Sequence, residues 1–259
     1  MTVDNVMVKN RFFKVAAYYD QYAEIQQLIA RQLANDFPYN KKIKNILEIG
    51  CGTGNYTKLL RIGFPNAKIK SIDISGYMIE VARGKLRDKG IDFIVADGEL
   101  ITWDIFFDFI TSNATLQWFE DLEGSLLSYS RMLHSKGQIS FSIFGKLTFF
   151  ELDASVKELF GQDVCVAASR FISGDDLKKI LARCFNSYYL FEEKCISVRY
   201  ASIQELLNSL KYTGTIGKNP NKHLWTPRML KKLEDIYKRR FGDITATYQV
   251  FKCIYPGVK

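Results

Sequence analysis

Short apolar runs alternate with amphipathic segments along this chain, and the alternation predicts its secondary structure. The runs are typical of buried parallel strands, which are apolar almost throughout because both of their faces are covered. The amphipathic segments place apolar residues at steps of three and four, as helices do. The runs predict strands over 46–49, 68–73, 91–96, 106–111, 138–144, 188–200 and 244–255. The amphipathic segments predict helices over 10–34, 56–60, 77–89, 122–133, 149–160, 177–185, 203–210 and 227–240.

Strands that alternate with helices favour a doubly wound α/β fold, whose crossovers bring the carboxyl ends of the strands to one edge. We therefore expect a Rossmann-like seven-stranded sheet that is mostly parallel, with an antiparallel last strand. A single domain over 1–259 is long enough to bury one such core. Within it, 1–40 forms a helical arm, and segments at about 146–172 and 201–242 form helical cap insertions.

The first strand leads into a glycine-rich turn, Glu48-Ile-Gly50-Cys-Gly52-Thr-Gly54. Glycine is needed where the backbone turns sharply or where a ligand must approach it closely. The dinucleotide fingerprint would place its third glycine at position 55, where this chain has Asn55. A dinucleotide pyrophosphate is therefore not the best fit. The spacing resembles motif I of the S-adenosylmethionine-dependent methyltransferases, and the alternative is a glycine turn in an unrelated α/β protein.

Polar residues stand where three further strands end. Asp73 follows the glycines by about 20 residues, the position at which an acid can bind a ribose diol. Asp97 and Gly98 follow the third strand, and Asn113 follows the fourth. Because ligands bind outside the carboxyl ends of parallel strands, these residues are expected to meet in one site.

Composition narrows the classes of function that remain. The net charge of +8 suits an anionic partner, such as nucleic acid, a membrane surface or an acidic protein. The chain has no apolar run long enough to span a membrane, and its start lacks an apolar signal core. None of its five cysteines belongs to a Cys-x-x-Cys pair, and it has only two histidines. We therefore expect reduced thiols, a cytoplasmic location and no metal.

Motifs spread over nearly the whole chain resemble the malonyl-acyl-carrier-protein O-methyltransferase family of biotin synthesis. They are Phe12-x-x-x-Ala16-x-x-Tyr19-Asp20-x-x-Ala23-x-x-Gln26, Ser112-Asn113 with Gln117-Trp118, Glu151-Leu152, Ser169-Arg170-Phe171, Ser209-Leu-Lys-x-Thr-Gly214 and Thr245-Ala-Thr-Tyr248-Gln-Val-Phe251. The resemblance implies that S-adenosylmethionine methylates the free carboxylate of malonyl-acyl carrier protein. It also implies that the acyl carrier protein is the partner and that neither nucleic acid nor a membrane is one. No general base is required, because a carboxylate is already deprotonated at neutral pH.

The same resemblance implies roles for individual residues. The cofactor set is Glu48, Gly50, Gly52, Gly54, Asp73, Ile74, Met78, Asp97, Gly98 and Asn113. Asp97 would hold the adenine amino group. Near the transferred methyl or the acceptor we expect Arg170, Tyr19, Gln117 and Trp118, and less strongly Lys211 and Tyr248. Arg170 is preferred for the malonyl carboxylate because its planar fork can form two parallel hydrogen bonds. Tyr19 and Trp118 also suit core packing, and Arg170 also suits an ordinary surface position.

Two other functions remain open at this point. The first is a methyltransferase of the same fold that acts on another small carboxylic acid or a quinone-like molecule. The second is a basic S-adenosylmethionine-binding protein that docks on RNA, although no stacking motif or zinc knuckle supports it. The cap is basic, so its charges could steer an acidic carrier protein toward the enzyme. The alternative is that these charges only form the solvated face of a helix. Its cations are Lys218, Lys222, Arg228, Lys231, Lys232, Lys238, Arg239 and Arg240.

Overall fold

The computed structural model describes residues 18–87, 90–186, 189–213 and 226–257. Its strands are β1 (Asn45–Ile49), β2 (Lys68–Asp73), β3 (Ile91–Val95), β4 (Phe107–Asn113), β5 (Leu133–Phe144), β6 (Leu190–Arg199) and β7 (Thr245–Tyr255). Its helices are α1 (Tyr19–Tyr22), α2 (Glu24–Ala34), α3 (Asn55–Gly63), α4 (Gly76–Lys85), α5 (Leu122–Arg131), α6 (Phe150–Phe160), α7 (Gly174–Phe185), α8 (Ile203–Tyr212) and α9 (Pro227–Phe241). The motif positions Phe12, Ala16 and Gly214 and the cap residues Lys218 and Lys222 lie outside the described residues.

The strands form a seven-stranded sheet in the order β3-β2-β1-β4-β5-β7-β6. β1 pairs in parallel with both β2 and β4, β2 with β3, and β4 with β5. The last strands are antiparallel, and the N–H of Tyr200 donates to the carbonyl of Ile244 where β6 ends and β7 is about to begin. The mostly parallel sheet with an antiparallel last strand is thus confirmed.

The chain divides into two compact units. The first comprises the described residues up to Ile143, together with Asp175–Glu192 and those from Lys252 onward. The second comprises Phe144–Gly174 and Glu193–Phe251. The second unit includes the segments expected to form the cap, and the organisation of 1–259 as one domain stays a prediction.

The core of the first unit explains why its strands are apolar runs. Ile46 and Leu47 of β1 are fully buried, since β1 lies between two parallel neighbours. α2 and α3 cover the sheet with apolar faces, and Leu33 and Leu60 are buried there in one cluster. None of the helices in the described ranges combines the length and apolar character that a membrane crossing needs.

Several element boundaries differ from the sequence prediction by a few residues, and two of the differences have a visible cause. The arm is not one helix, because Ala23 leaves the helical conformation between α1 and α2. There the side-chain amide of Gln27 donates to the carbonyl of Asp20, which a continuous helix would use for a main-chain bond. β5 begins at Leu133 rather than at residue 138, because Leu133 already pairs with Phe107 of β4.

Candidate active site

The turn between β1 and α3 has a shape that its glycines make possible. Gly50, Gly52 and Gly54 have positive φ angles of +70°, +52° and +85°, a region that other residues rarely adopt. A Cβ on Gly50 would also lie only 2.2 Å from Oγ1 of Thr115. A Cβ on Gly52 would meet no atom within 4 Å, and Gly52 borders an open cavity. The turn therefore exposes its main chain at Gly52.

The carboxylate of Asp73, at the end of β2, is held against this turn. Its Oδ2 accepts a hydrogen bond from the N–H of Gly52 at 2.9 Å, and its Oδ1 accepts one from the N–H of Ser75 at 2.8 Å. Burial raises the pKa of Asp73 to about 6, although these two hydrogen bonds oppose the shift. Each carboxylate oxygen retains a lone pair with which it can accept a ligand hydroxyl.

A cavity of ≈ 990 Å³, counting its open mouth, lies at the carboxyl ends of β1 to β4. Most of the residues predicted for the site line it. They are Tyr19, Gly50, Gly52, Asp73, Ile74, Met78, Asp97, Gly98, Asn113 and Trp118. The residues that were expected to meet at this edge of the sheet therefore line one cavity.

The turn after β3 is fixed by packing. Oδ1 of Asp97 accepts a hydrogen bond from the N–H of Glu99 at 3.0 Å. The hydroxyl of Tyr129 donates to the carbonyl of Gly98 at 2.8 Å. A Cβ on Gly98 would lie 2.8 Å from Cγ2 of Ile49, so glycine is required there by close packing.

Asn113 joins the end of β4 to the arm. Its Oδ1 accepts a hydrogen bond from the hydroxyl of Ser142 at 2.9 Å, and its Nδ2 donates to the main-chain carbonyl of Gln26 at 3.0 Å. The arm is thereby fixed as one wall of the cavity. The wall residues are Tyr19, Ala23, Gln26, Gln27 and Ala30.

Tyr19 and Trp118 are two of the aromatic residues that line the cavity. Desolvation and the neighbouring carboxylates of Asp73 and Asp20 raise the pKa of Tyr19 above its ordinary value. The hydroxyl of Tyr19 therefore stays protonated at neutral pH and can act as a hydrogen-bond donor. Trp118 ends a 3₁₀ turn over Leu116–Trp118 and is buried.

Glu48 lies beneath the cavity instead of lining it. Its Oε2 accepts hydrogen bonds from the hydroxyls of Thr57 at 2.7 Å and Ser71 at 2.6 Å. Burial raises the pKa of Glu48 to about 7, against the effect of those two bonds. Side chains alternate between the two faces of a strand, so Glu48 and its neighbour Ile49, which does line the cavity, point to opposite sides. Glu48 thus has a structural role beneath the turn, and the cofactor contact expected for it stays a prediction.

Gly54 and Gln117 are also absent from the cavity lining. Gly54 provides the left-handed residue that caps the start of α3. The side-chain amide of Gln117 donates to the carbonyl of Ala114 at 2.7 Å, which fixes the turn after β4. Both residues thus have a supporting role in the described structure, and the contact with cofactor or acceptor expected for them stays a prediction.

Three of the candidates for acceptor binding, Arg170, Lys211 and Tyr248, lie in the second unit, whereas the residues that line the cavity belong to the first. Arg170 is exposed at the end of a 3₁₀ turn, with its Nη2 3.6 Å from the Sγ of Cys165. Lys211 is exposed near the end of α8. Tyr248 is buried, and its hydroxyl lies 2.7 Å from that of Tyr200.

Comparison with known proteins decides the family. Residues 47–141 match the family model described as a methyltransferase domain. A malonyl-[acyl-carrier protein] O-methyltransferase of Ilyobacter polytropus is 34% identical to this chain, over 99% of this chain and 96% of its own length. The chain belongs to the malonyl-[acyl-carrier protein] O-methyltransferase family. It is therefore an S-adenosylmethionine-dependent methyltransferase.

Solved methyltransferase structures share the fold. A candidate methyltransferase of Bacillus halodurans C-125 has a TM-score of 0.62 at 14% identity, covering 89% of this chain and 99% of that one. The plantazolicin methyltransferase BpumL, solved in complex with SAH, has a TM-score of 0.55 at 14% identity, covering 98% of this chain and 96% of that one. These likenesses confirm the predicted Rossmann-like architecture.

S-adenosylmethionine is the methyl donor of this methyltransferase, and the cavity fits such a group. Gly52 lets a ligand approach the main chain closely, and Asp73 offers an ionisable acceptor for ribose hydroxyls. Asp97 lines the cavity at the next strand end.

Several lining residues of the methyltransferase were not assigned from sequence. Thr115 donates from its hydroxyl to the carbonyl of Gly50 at 3.2 Å and occupies the space that a side chain at Gly50 would need. Cys51 lines the cavity from within the glycine turn, Asn55 from the start of α3, and Gln26 from the arm. The sequence signal that could have identified these residues was their position inside or beside the glycine turn, in the Ser112–Trp118 segment or in the arm motif.

Proposed function

We propose that this methyltransferase transfers the methyl group of S-adenosylmethionine to the free carboxylate of malonyl-acyl carrier protein. The product would be the malonyl methyl ester that starts pimeloyl and biotin synthesis. We also propose that the enzyme is cytoplasmic and that its partner is the carrier protein. Neither nucleic acid nor a membrane is a partner in this proposal.

The extent of the similarity carries this proposal. The general methyltransferase model ends at residue 141, so it accounts for the cofactor half alone. The malonyl-[acyl-carrier protein] O-methyltransferase of Ilyobacter polytropus extends over 99% of the chain and so includes the second unit. In that unit the motifs around Arg170, Lys211 and Tyr248 give the acceptor its own candidate residues.

The cofactor half positions the donor. When bound, S-adenosylmethionine supplies an electrophilic methyl group on a sulfonium sulfur. Asp73 would accept hydrogen bonds from the ribose hydroxyls, Asp97 would hold the adenine, and Asn113 with the arm would lie near the transferred methyl group. Because the acceptor carboxylate is already ionised, the protein needs to orient it in line and exclude water. Orientation of this kind can lower a barrier by about 7–11 kcal/mol.

Arg170 is the residue that we place on the malonyl carboxylate. Its guanidinium forms no ion pair with any carboxylate in the described ranges, so it retains its capacity for an anionic ligand. Tyr248 has its hydroxyl engaged with that of Tyr200, which suits a supporting position. Lys211 is exposed and is the next cation to consider.

The basic face of α9 gives the carrier protein a docking surface. Arg239 and Arg240 both pair with Glu158, and Lys238 pairs with Glu234. These pairs neutralise the carboxyl-terminal half of the helix. At its other end the exposed cations make no ion pair within the described ranges. These cations are Arg228, Lys231 and Lys232.

The decisive experiment incubates the enzyme with S-adenosylmethionine and malonyl-acyl carrier protein and measures the mass of the carrier. We expect a gain of one methylene unit, and none on acetyl-acyl carrier protein, which lacks the free carboxylate. Free malonate and malonyl-coenzyme A are assayed beside it. Equal kcat/KM on free malonate would replace this proposal by a small-acid methyltransferase, and a salt-dependent mobility shift with bulk RNA would support an RNA-docking protein.

A further inference from the structure

One carboxylate fastens the arm to the glycine turn. Oδ1 of Asp20, in α1, accepts hydrogen bonds from the hydroxyl of Thr53 at 2.5 Å and from Nδ2 of Asn55 at 3.0 Å. Its Oδ2 pairs with the ammonium group of Lys85, the last residue of α4. Asp20 therefore binds donors from the glycine turn, from the start of α3 and from the end of α4.

The main chain of Asp20 is fixed as well. Its carbonyl accepts a hydrogen bond from Nε2 of Gln27 at 3.0 Å, at the break between α1 and α2. Burial alone would raise the pKa of Asp20, but the hydrogen bonds from Lys85 and Thr53 outweigh it and hold that pKa below its ordinary value. Asp20 is therefore ionised at neutral pH.

These contacts bridge two walls of the cavity. Tyr19, next to Asp20, lines the cavity from the arm, and Thr53 and Asn55 line it from the glycine turn and the start of α3. All of these residues belong to the first unit. If the arm moves outward and widens the cavity, every side-chain bond of Asp20 breaks at once.

We propose that Asp20 is a positioning residue that holds the arm closed over S-adenosylmethionine and so sets the rate at which the cofactor leaves. The inference rests on this cavity being the cofactor site and is independent of which acceptor is methylated. The Lys85–Asp20 pair is partly exposed, with side-chain exposures of 35% and 37%, so salt screens its contribution.

The test measures dissociation of labelled S-adenosylmethionine from the full-length enzyme, by chase with excess unlabelled cofactor and rapid filtration. Asp20→Ala is expected to raise the dissociation rate about tenfold to a hundredfold, because it removes hydrogen bonds to a charged group. Lys85→Met is expected to raise it about threefold, as for a partly exposed ion pair. The Asp20→Ala, Lys85→Met double variant should dissociate no faster than Asp20→Ala, because both changes break the same contact.

The matched control is Lys70→Met, which removes another partly exposed ion pair of the first unit, Lys70–Asp92 at 3.2 Å. Its dissociation rate should equal that of the wild type. Potassium chloride should accelerate dissociation from the wild type and leave Lys85→Met unaffected. A purely structural role for the pair would not produce this difference in salt dependence.

A dissociation rate in Asp20→Ala within twofold of the wild type overturns the proposal, as does an equal rise in Lys70→Met or an additive double variant. If Asp20→Ala does not fold, Lys85→Met decides, and loss of the salt dependence supports the proposal whereas its retention overturns it. An enzyme that binds the cofactor but does not methylate malonyl-acyl carrier protein would refute the proposed function and leave this test intact.

Discussion

Oδ2 of Asp73 accepts a hydrogen bond from the N–H of Gly52 at 2.9 Å, so the acid at the end of β2 also holds the turn after β1. A ligand hydroxyl that binds Asp73 is thereby brought beside the exposed main chain of Gly52. The two residues act together, and each can be tested by its own variant.

Asp73→Ala should weaken S-adenosylmethionine binding about tenfold to a hundredfold, since hydrogen bonds to a charged group contribute about 1.5–3 kcal/mol. The pKa of Asp73 is raised to about 6, so the wild-type affinity should fall as the pH is lowered through 6 and the carboxylate becomes protonated. Asp73→Asn should show a flat profile between pH 5 and 7. Calorimetry gives both results, and unchanged affinity in a folded Asp73→Ala would remove Asp73 from the site.

Gly52→Val should reduce cofactor affinity more than any change at Asp73. Valine is strained at the φ of +52°, and its side chain would occupy the space through which a ligand approaches the main chain. Gly52→Ala should be intermediate. Gly84→Ala is the matched control, because a Cβ there meets nothing within 4 Å and the residue lies in α4. Normal binding by a folded Gly52→Val would mean that the glycine turn has been misinterpreted.

Glu48 should make the protein less stable as the pH rises. Its pKa is about 7 in the folded protein against an ordinary 4.5, so the folded state holds the extra proton between these values. The free energy of unfolding should therefore fall across that window, on the order of 3 kcal/mol for this group. Glu48→Gln should remove this component while its amide oxygen keeps the bonds from Thr57 and Ser71. Urea unfolding from pH 5 to 8 tests it, and equal pH slopes in both proteins would contradict it.

The sequence predicted the parts of the site that depend on strand ends. Asp73 and Asn113 follow apolar runs, and the carboxyl ends of parallel strands must share an edge. It could not predict that Glu48 points away from the cavity, because an apolar run does not reveal which face of the strand meets the ligand. It also missed the break between α1 and α2 at Ala23. The hydrophobic periodicity of the segment does not reveal the hydrogen bond from the Gln27 side chain to the Asp20 carbonyl.

The carrier-protein surface yields a prediction that separates free from paired cations. Lys231→Glu with Lys232→Glu should lower kcat/KM for malonyl-acyl carrier protein about tenfold and flatten its salt dependence, because exposed charges mainly affect association. Arg239→Gln with Arg240→Gln should do less, since both arginines pair with Glu158.

A short malonyl thioester provides the control substrate for this comparison. Its turnover should be unchanged in both double variants, because it presents no acidic protein surface to the enzyme. Equal loss on the carrier protein and on the short thioester would indicate damage to the fold of the second unit and would exclude α9 as the docking surface.

Arg170→Ala should cut kcat/KM for malonyl-acyl carrier protein about tenfold to a hundredfold while the affinity for S-adenosylmethionine stays near that of the wild type. The guanidinium can hold one carboxylate oxygen while the other attacks. Only contacts that are kept or strengthened in the transition state raise the rate, so a pair that held both oxygens would slow the reaction. Arg170→Lys should restore part of the loss, because an ammonium group lacks the planar fork.

Arg199→Ala is the matched control for Arg170, because Arg199 is an exposed arginine of the same unit, 2.8 Å from Asp243. Its kinetics should be those of the wild type. The product ester is neutral at the methylated oxygen and would lose its pair with Arg170, so Arg170→Ala should also abolish the preference for malonyl acid over malonyl ester in competition binding. Steady-state kinetics and competition with the ester product measure both effects. A wild-type rate and KM in Arg170→Ala would show that the carboxylate is held elsewhere, and Lys211 and Tyr248 would be the next residues to change.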